Sequence, residues 1–121
     1  MRIDVAALTQ LPDDFAGWLS DGESVSQENT IFTVAHCDQI PAGLLTMDLE
    51  PPRATVTFHF VQPELRDLGV GEALLEAALL RAKQAGCTSC TAWVPTGDRI
   101  AKLTYEALGF RSDLIRVTRT L

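Results

Sequence analysis

The sequence predicts one α/β domain of the α+β kind, a mixed sheet flanked by helices. Three observations carry that expectation. Apolar residues recur with a period of two over much of residues 30–61, the signature of strands. They switch to helical spacing over residues 70–85. Gly, Pro and Asp punctuate the intervals as turn residues do. A chain of 121 residues has room for one domain and not for two, so residues 1–121 are read as a single domain.

Each element follows from its residues. Arg2–Val5 alternates and reads as a short strand. Pro12–Leu19 places Phe15, Trp18 and Leu19 on helical spacing after the turn-prone Gln10-Leu11-Pro12, and predicts a helix. Residues 21–29 are polar and read as a loop. Thr30–Cys37 is β-branched and alternating. Ile40–Leu49 follows across the turn Asp38-Gln39, so the two strands form a hairpin. Pro51-Pro52 breaks the chain. Ala54–Val61 is the strongest strand signal, with Val56, Phe58 and Phe60 alternating with Thr55, Thr57 and His59.

Val70–Ala85 then carries Val70, Leu74, Leu75, Ala78, Leu79 and Ala82 on one helical face, and Gly86 stops it. Thr88–Val94 is a further strand, and Pro95-Thr96-Gly97 a turn. Asp98 caps a helix over Arg99–Leu108 that Gly109 ends. Phe110–Leu121, with Leu114, Ile115, Val117 and Leu121, reads as a terminal strand. The expected order is β-α-β-β-β-α-β-α-β.

The composition is 46% apolar and 21% charged, enough to bury a core and too apolar for disorder. A formal charge of −6 argues against a nucleic-acid binder, which needs a basic surface. The first twenty residues hold Asp4, Asp13 and Asp14 and no apolar h-region, so no secretory signal is expected. No apolar run nears the ~20 residues that span a bilayer. Cys37, Cys87 and Cys90 are an odd number of cysteines and are read as reduced thiols of a cytoplasmic protein. Cys87 and Cys90 have CxxC spacing. A zinc site would need two more ligands from Cys37, His36 and His59, all in expected strands, so no metal is expected. Small buried hydrophobes fit better.

Charge is uneven along the chain. Residues 1–50 hold nine acids and one base, a net of −8, and residues 51–121 hold seven acids and nine bases, a net of +2. The C-terminal half suits an anion and the N-terminal half a cation, unless the asymmetry is only a solvated acidic surface.

The stretch Val61-Gln62-Pro63-Glu64-Leu65-Arg66-Asp67-Leu68-Gly69-Val70-Gly71-Glu72 carries the chemistry. A strand ends, Pro63 forces an exit, and a loop with two glycines opens into a helix. Free N–H groups at a helix start attract anions, and the dipole adds to them. Gly69 and Gly71 let a ligand reach the backbone, and Arg66 adds a fixed positive charge. A phosphate or pyrophosphate is the expected guest. The dinucleotide fingerprint fails because Leu74 stands where a third Gly is needed. A Walker A loop fails because Glu72-Ala73 follows Gly71. Two glycines alone also suit an ordinary strand–loop–helix junction.

Val61-x-Pro63-x-x-Arg66-x-x-Gly69-Val70-Gly71 resembles the acetyl-CoA signature of the GNAT acetyltransferase superfamily. Asp98-x-x-Ala101-x-x-x-Tyr105-x-x-Leu108-Gly109-Phe110 resembles the family's second motif. The resemblance covers about residues 30–121. It implies a mixed, mostly antiparallel sheet that splays open between the strands ending at Val61 and Val94. Acetyl-CoA would be the co-substrate, with pantetheine paired to the backbone of His59, Phe60 and Val61. The pyrophosphate would rest on the N–H groups of Arg66, Asp67, Leu68, Gly69, Val70, Gly71 and Glu72. Tyr105 falls where many members keep a tyrosine near the sulfur, as general acid to the departing thiolate. The resemblance also places Asp98 at the cofactor, where the family usually has Asn. Asp caps a helix equally well but cannot donate a side-chain hydrogen bond when ionised.

The activity so implied is N-acetyl transfer by direct attack of a primary amine on acetyl-CoA, with backbone N–H groups near Val61 stabilising the oxyanion. The amine would belong to a small molecule, a peptide or a protein, and the charge asymmetry favours a cationic one. His59 is the one imidazole near the cleft and suits base work, although a β-bulge would turn it toward the core. Asp48, Glu50 or a water chain are the alternative bases. One helix ahead of the hairpin, where the family often has two, leaves an acceptor site that is open or completed by a second copy. A CoA-binding sensor without turnover is the other class of function that the same loop serves.

Overall fold

The computed structural model describes residues 1–19, 28–94, 97–113 and 117–121. Five strands form one sheet in chain order: β1 (Ile3–Leu8), β2 (Thr30–Cys37), β3 (Ile40–Glu50), β4 (Arg53–Val61) and β5 (Ser89–Ala92). The first three pairings are antiparallel and β4–β5 is parallel. Helix α1 (Val70–Gln84) links β4 to β5, and α2 (Arg99–Ala107) follows.

The β2–β3 hairpin turns at Asp38 and Gln39, both at positive φ (48° and 73°), the mirror-image turn whose twist matches that of strands. β2 and β3 are buried on both faces, so their sequences read as nearly continuous apolar runs. On one face Leu45, Met47 and Val56 pack under Val70, Leu74, Leu75 and Ala78 of α1. On the other, Phe32, Val34 and Leu44 pack on Phe15, with Trp18 and Phe58 at the margin. Gly43 brings α1 close: a Cβ there would lie 2.7 Å from Leu74 Cδ1 and 3.1 Å from the Phe60 carbonyl.

Gly86 ends α1 as expected, at φ +94°. Its N–H donates to the Lys83 carbonyl, and that of Cys87 to Ala82, which satisfies the last carbonyls. Asp98 caps α2 by accepting from the Ala101 N–H at 3.0 Å, also as expected.

Three expectations need correction. The helix over residues 12–19 is a single 3₁₀ turn, Asp13–Phe15. Trp18 N–H reaches the Phe15 carbonyl by an i→i−3 bond, and that spacing suffices to bury Phe15 completely. Gly17 and the absence of a side-chain N-cap remove the support a longer helix needs. Second, no terminal strand forms among the described residues 110–113 and 117–121. Val117 and Leu121 are exposed, and the four residues of β5 offer only a short edge. Leu114 and Ile115 lie outside the described residues, as do Pro95-Thr96 and most of the expected loop at 21–29.

The third correction is the parity of β4. Thr46 pairs with Phe58 but Met47 pairs with Val56, so Thr57 is an extra residue, a β-bulge. The side chain of Thr57 bonds Thr46 Oγ1 at 2.6 Å. Directly paired residues share a face, so Val56 opposite Met47 and His59 opposite Leu45 both look toward α1. Phe58 and Phe60, opposite Thr46 and Leu44, look the other way.

Candidate active site

The β4–β5 pairing runs from Arg53–Ser89 to Val56–Ala92 and stops. From Thr57 to Val61 the outer edge of β4 has no strand beside it among the described residues. This is the splay expected between the two strands. The bulge begins where the pairing ends, and it turns His59 toward the helices.

His59 meets two partners there. Its Nδ1 lies 2.9 Å from the Tyr105 hydroxyl, and the rings cross at 89°. Its Nε2 faces the first turn of α1, where a Cβ on Gly71 would lie 3.7 Å from both Nε2 and Val61 Cγ2. Tyr105 is 7% exposed and is braced edge-on by Phe110 at 5.0 Å. Burial pushes the His59 imidazole below its usual range, with the Gly71 backbone opposing in part. Burial, then the neighbouring Cys90, pushes the Tyr105 phenol up to about 12. Burial, then Cys87, pushes the Cys90 thiol to about 11. At neutral pH these groups are therefore an uncharged imidazole, phenol and thiol.

Beyond β4 the chain makes a 3₁₀ turn at Pro63–Leu65. Arg66 folds back, donating its Nε–H to the Val61 carbonyl at 3.0 Å with its guanidinium 5.5 Å over the Phe60 ring. Asp67 and Gly69 take positive φ (65° and 86°), and α1 starts with no side-chain cap. Its first internal bond is Ala73 N–H to the Gly69 carbonyl. The N–H groups of Val70, Gly71 and Glu72 thus have no place in the helix ladder, and they point where the dipole favours an anion. Gly71 does not need glycine for its backbone angle, and a Cβ would meet the protein only at ordinary contact distance. Its missing side chain leaves room beside His59 and Val61.

The structure thus brings His59, Val61, Gly71 and Tyr105 together, with Val70 and Glu72 beside them in the first turn of α1. Phe60 is not brought to them: its side chain lies on the opposite face against Trp18, and its carbonyl faces Gly43 of β3. Arg66, Asp67 and Leu68 form the exposed rim. Asp98 spends its carboxylate on α2. Asp48 and Glu50 pair with Thr55 and Arg53, at the far end of β4. At about 3.3 Å per residue, Asp48 is roughly 20 Å from Val61, so neither acid serves this cleft. Cys37 and Cys87 are buried, as small core hydrophobes are. No group of three His, Cys, Asp or Glu gathers for a metal among the described residues. Phe110 was legible only as part of a motif. Its packing on Tyr105 has no local sequence signal.

The GNAT acetyltransferase family model matches residues 5–110. The chain belongs to that family. Acetyl-CoA is accordingly its co-substrate and N-acetyl transfer its reaction. No curated protein matches the sequence significantly. Solved structures share the GNAT fold. The aminoglycoside N-acetyltransferase AAC(6')-Iy in complex with CoA aligns at TM-score 0.76 and 22% identity, over 98% of this chain and 99% of that one. The ribosomal-protein-S18-alanine N-acetyltransferase from Escherichia coli aligns at 0.78 and 20%, over 95% and 81%. A transcriptional regulator from Bacillus halodurans aligns at 0.68 and 25%, over 78% and 67%. No helix of this GNAT chain is long and apolar enough to cross a membrane among the described residues.

Proposed function

We propose that this cleft acetylates a primary amine by direct attack on acetyl-CoA, with Tyr105 at the leaving sulfur. One observation carries the reading. The unpaired edge of β4, the uncapped start of α1 and the His59–Tyr105 pair meet within hydrogen-bond or contact distance.

Acetyl-CoA supplies the activated acetyl thioester. The N–H groups of Val70, Gly71 and Glu72 hold its pyrophosphate, and Arg66 adds positive charge at the rim. The free backbone groups of β4 up to the Val61 N–H hold pantetheine, the Val61 carbonyl being taken by Arg66, and N–H groups there face the oxyanion. Tyr105 offers its hydroxyl to the developing thiolate. A phenol near 12 opposite a thiol near ~8.5 cannot favourably surrender its proton. Tyr105 therefore stabilises the leaving sulfur as a hydrogen-bond donor, short of the full transfer that a general acid makes; CoA leaves as the thiolate, and the proton lost by the amine passes to water.

Two of the neighbours named above act on aminoglycosides and on a ribosomal protein, which supports a small-molecule or protein amine here. A cationic amine is favoured by acids at the mouth. Asp4 pairs across with His36, and His36 with Pro41, so Asp4, the β2–β3 turn at Asp38, and Asp14 on His36 all lie at the end where β4 opens. Free thiols support a cytoplasmic location.

Thiol release from acetyl-CoA across a panel of primary amines tests the reading. Amine-dependent release supports it. CoA binding with no turnover on any amine replaces it with a sensor that binds CoA only.

A further inference from the structure

We propose that His59 serves the reaction only through Tyr105, its Nδ1–H donating to the phenol oxygen and leaving the Tyr105 hydroxyl proton free to point into the cleft. This deepens the acetyl-transfer reading and rests on it.

Neither ring nitrogen of His59 is open to a substrate. Nδ1 is held by Tyr105 at 2.9 Å. Nε2 is buried with no hydrogen-bond partner among the described residues and faces Gly71 in α1. A general base must reach the proton it removes, directly or through one water, and from this position His59 reaches only Tyr105. The expectation that His59 is the amine's base therefore gives way to a positioning role.

The unpartnered Nε2 also selects the tautomer. A neutral imidazole carries one N–H. If that hydrogen were on Nε2, a buried N–H would be left orphaned, the rarer and costlier defect. Tyr105 would then have to spend its own proton on Nδ1. With the hydrogen on Nδ1, the orphan is only a lone pair. Tyr105 accepts from His59 and keeps its proton for the sulfur. Burial keeps the ring neutral, so no buried cation is needed. A backbone group of Gly71 opposes the burial shift of the ring, but it does not reach hydrogen-bond geometry with Nε2, which has no partner among the described residues.

The test combines ¹⁵N NMR of the wild-type imidazoles with kinetics. The chain has two histidines, and loss of a signal in His59→Leu assigns His59. The expected spectrum has Nδ1 protonated and Nε2 bare, and an Nε2–H tautomer overturns the proposal. In kinetics, His59→Leu lowers kcat roughly tenfold, within the loss that misplacing a catalytic group causes, and leaves KM for acetyl-CoA unchanged. His59→Asn, whose amide N–H stands near the place of Nδ1, recovers most of kcat. In a Tyr105→Phe background His59→Leu has no further effect, whereas multiplying losses would mean that His59 acts independently. If His59→Leu does not fold, the wild-type spectrum and His59→Asn still decide. A wild-type protein without acetyl transfer would sink the underlying reading, while the tautomer is read from the spectrum regardless.

Discussion

Val56 and His59 share one face of β4, because Thr57 bulges out of register against β3. Without that extra residue, strict alternation would put Val56, Phe58 and Phe60 together and send His59 to the other side. With it, Phe58 and Phe60 join Phe15 and Trp18, and His59 turns to Tyr105, which lies 46 positions along the chain. The bulge also falls where β5 leaves β4. One inserted residue thus sits where the pairing ends and aims His59 at Tyr105.

Gly71 offers the sharpest probe of that opening. Gly71→Ala adds a Cβ at ordinary contact distance from His59 and Val61 and favours the helix by up to about 1 kcal/mol, so its melting temperature is expected to hold or rise. Gly71→Val puts two methyl groups into the space beside His59 and is expected to abolish measurable acetyl-CoA binding. Calorimetry on both variants gives the ranking. Wild-type affinity in Gly71→Val would place the cofactor away from this loop.

Arg66 is a rim residue, so its effect is expected to be electrostatic and screened. Arg66→Glu weakens acetyl-CoA by roughly tenfold at low salt, and the difference shrinks as salt shortens the Debye length. Arg66→Gln falls between. A loss of affinity that ignores salt would instead trace to the Val61 carbonyl that Arg66 holds.

Tyr105 and His59 leave opposite marks on stability against pH. The folded-state pKa of Tyr105 is raised to about 12, so the unfolded chain releases that proton first, near ~10. Stability from this group is intact below pH 10 and drains away between about 10 and 12. Cys90 adds to the same alkaline loss, which makes Tyr105→Phe the informative comparison. The pKa of His59 is lowered, so the unfolded chain takes up a proton first and stability falls as pH drops below ~6.5. Urea unfolding from pH 5 to 11 should show a shallower alkaline slope in Tyr105→Phe and a shallower acid slope in His59→Leu. Unchanged slopes would mean that neither group is buried as described.

Much of this fold was legible because its signals are local. The β2–β3 hairpin, α1 with Gly86 and α2 with Asp98 all follow from side-chain spacing and caps within a few residues. The strand–loop–helix junction from Val61 to Glu72 was legible for the same reason, since orphan N–H groups are a property of any helix start. The misread parts depend on distant partners. Whether residues 12–19 form a helix turns on how much of Phe15 and Trp18 the sheet can cover. Thr57 looks like any alternating threonine until Thr46 pairs with its neighbour. The Tyr105–His59 bond needs α2 packed against β4, and no spacing in the sequence encodes it.

The acceptor prediction rests on where the N-terminal acids fall. Asp48 and Glu50 sit at the closed end of the sheet, while Asp4, Asp14 and Asp38 sit at the end where β4 opens. Strands are spaced about 5 Å apart, so Asp14 and Asp38 at the end of β2 lie roughly 10 Å from β4 and Asp4 on β1 roughly 15 Å, against a Debye length of about 10 Å at 0.1 M salt. Their field is partly spent, because the Arg2 guanidinium pairs with Asp4, the Arg2 backbone N–H donates to Asp38 and His36 bonds Asp14. A moderate preference is therefore expected: a cationic amine should exceed a matched anionic one in kcat/KM by about tenfold at low salt, through faster encounter. The gap should narrow as salt rises. Asp38→Asn, which removes a charge at the mouth without touching Tyr105 or the α1 loop, should lower kcat/KM for the cation and leave kcat unchanged. Preference for the anionic amine, or a cationic one indifferent to salt, would reduce the acidic N-terminal half to a solvated surface.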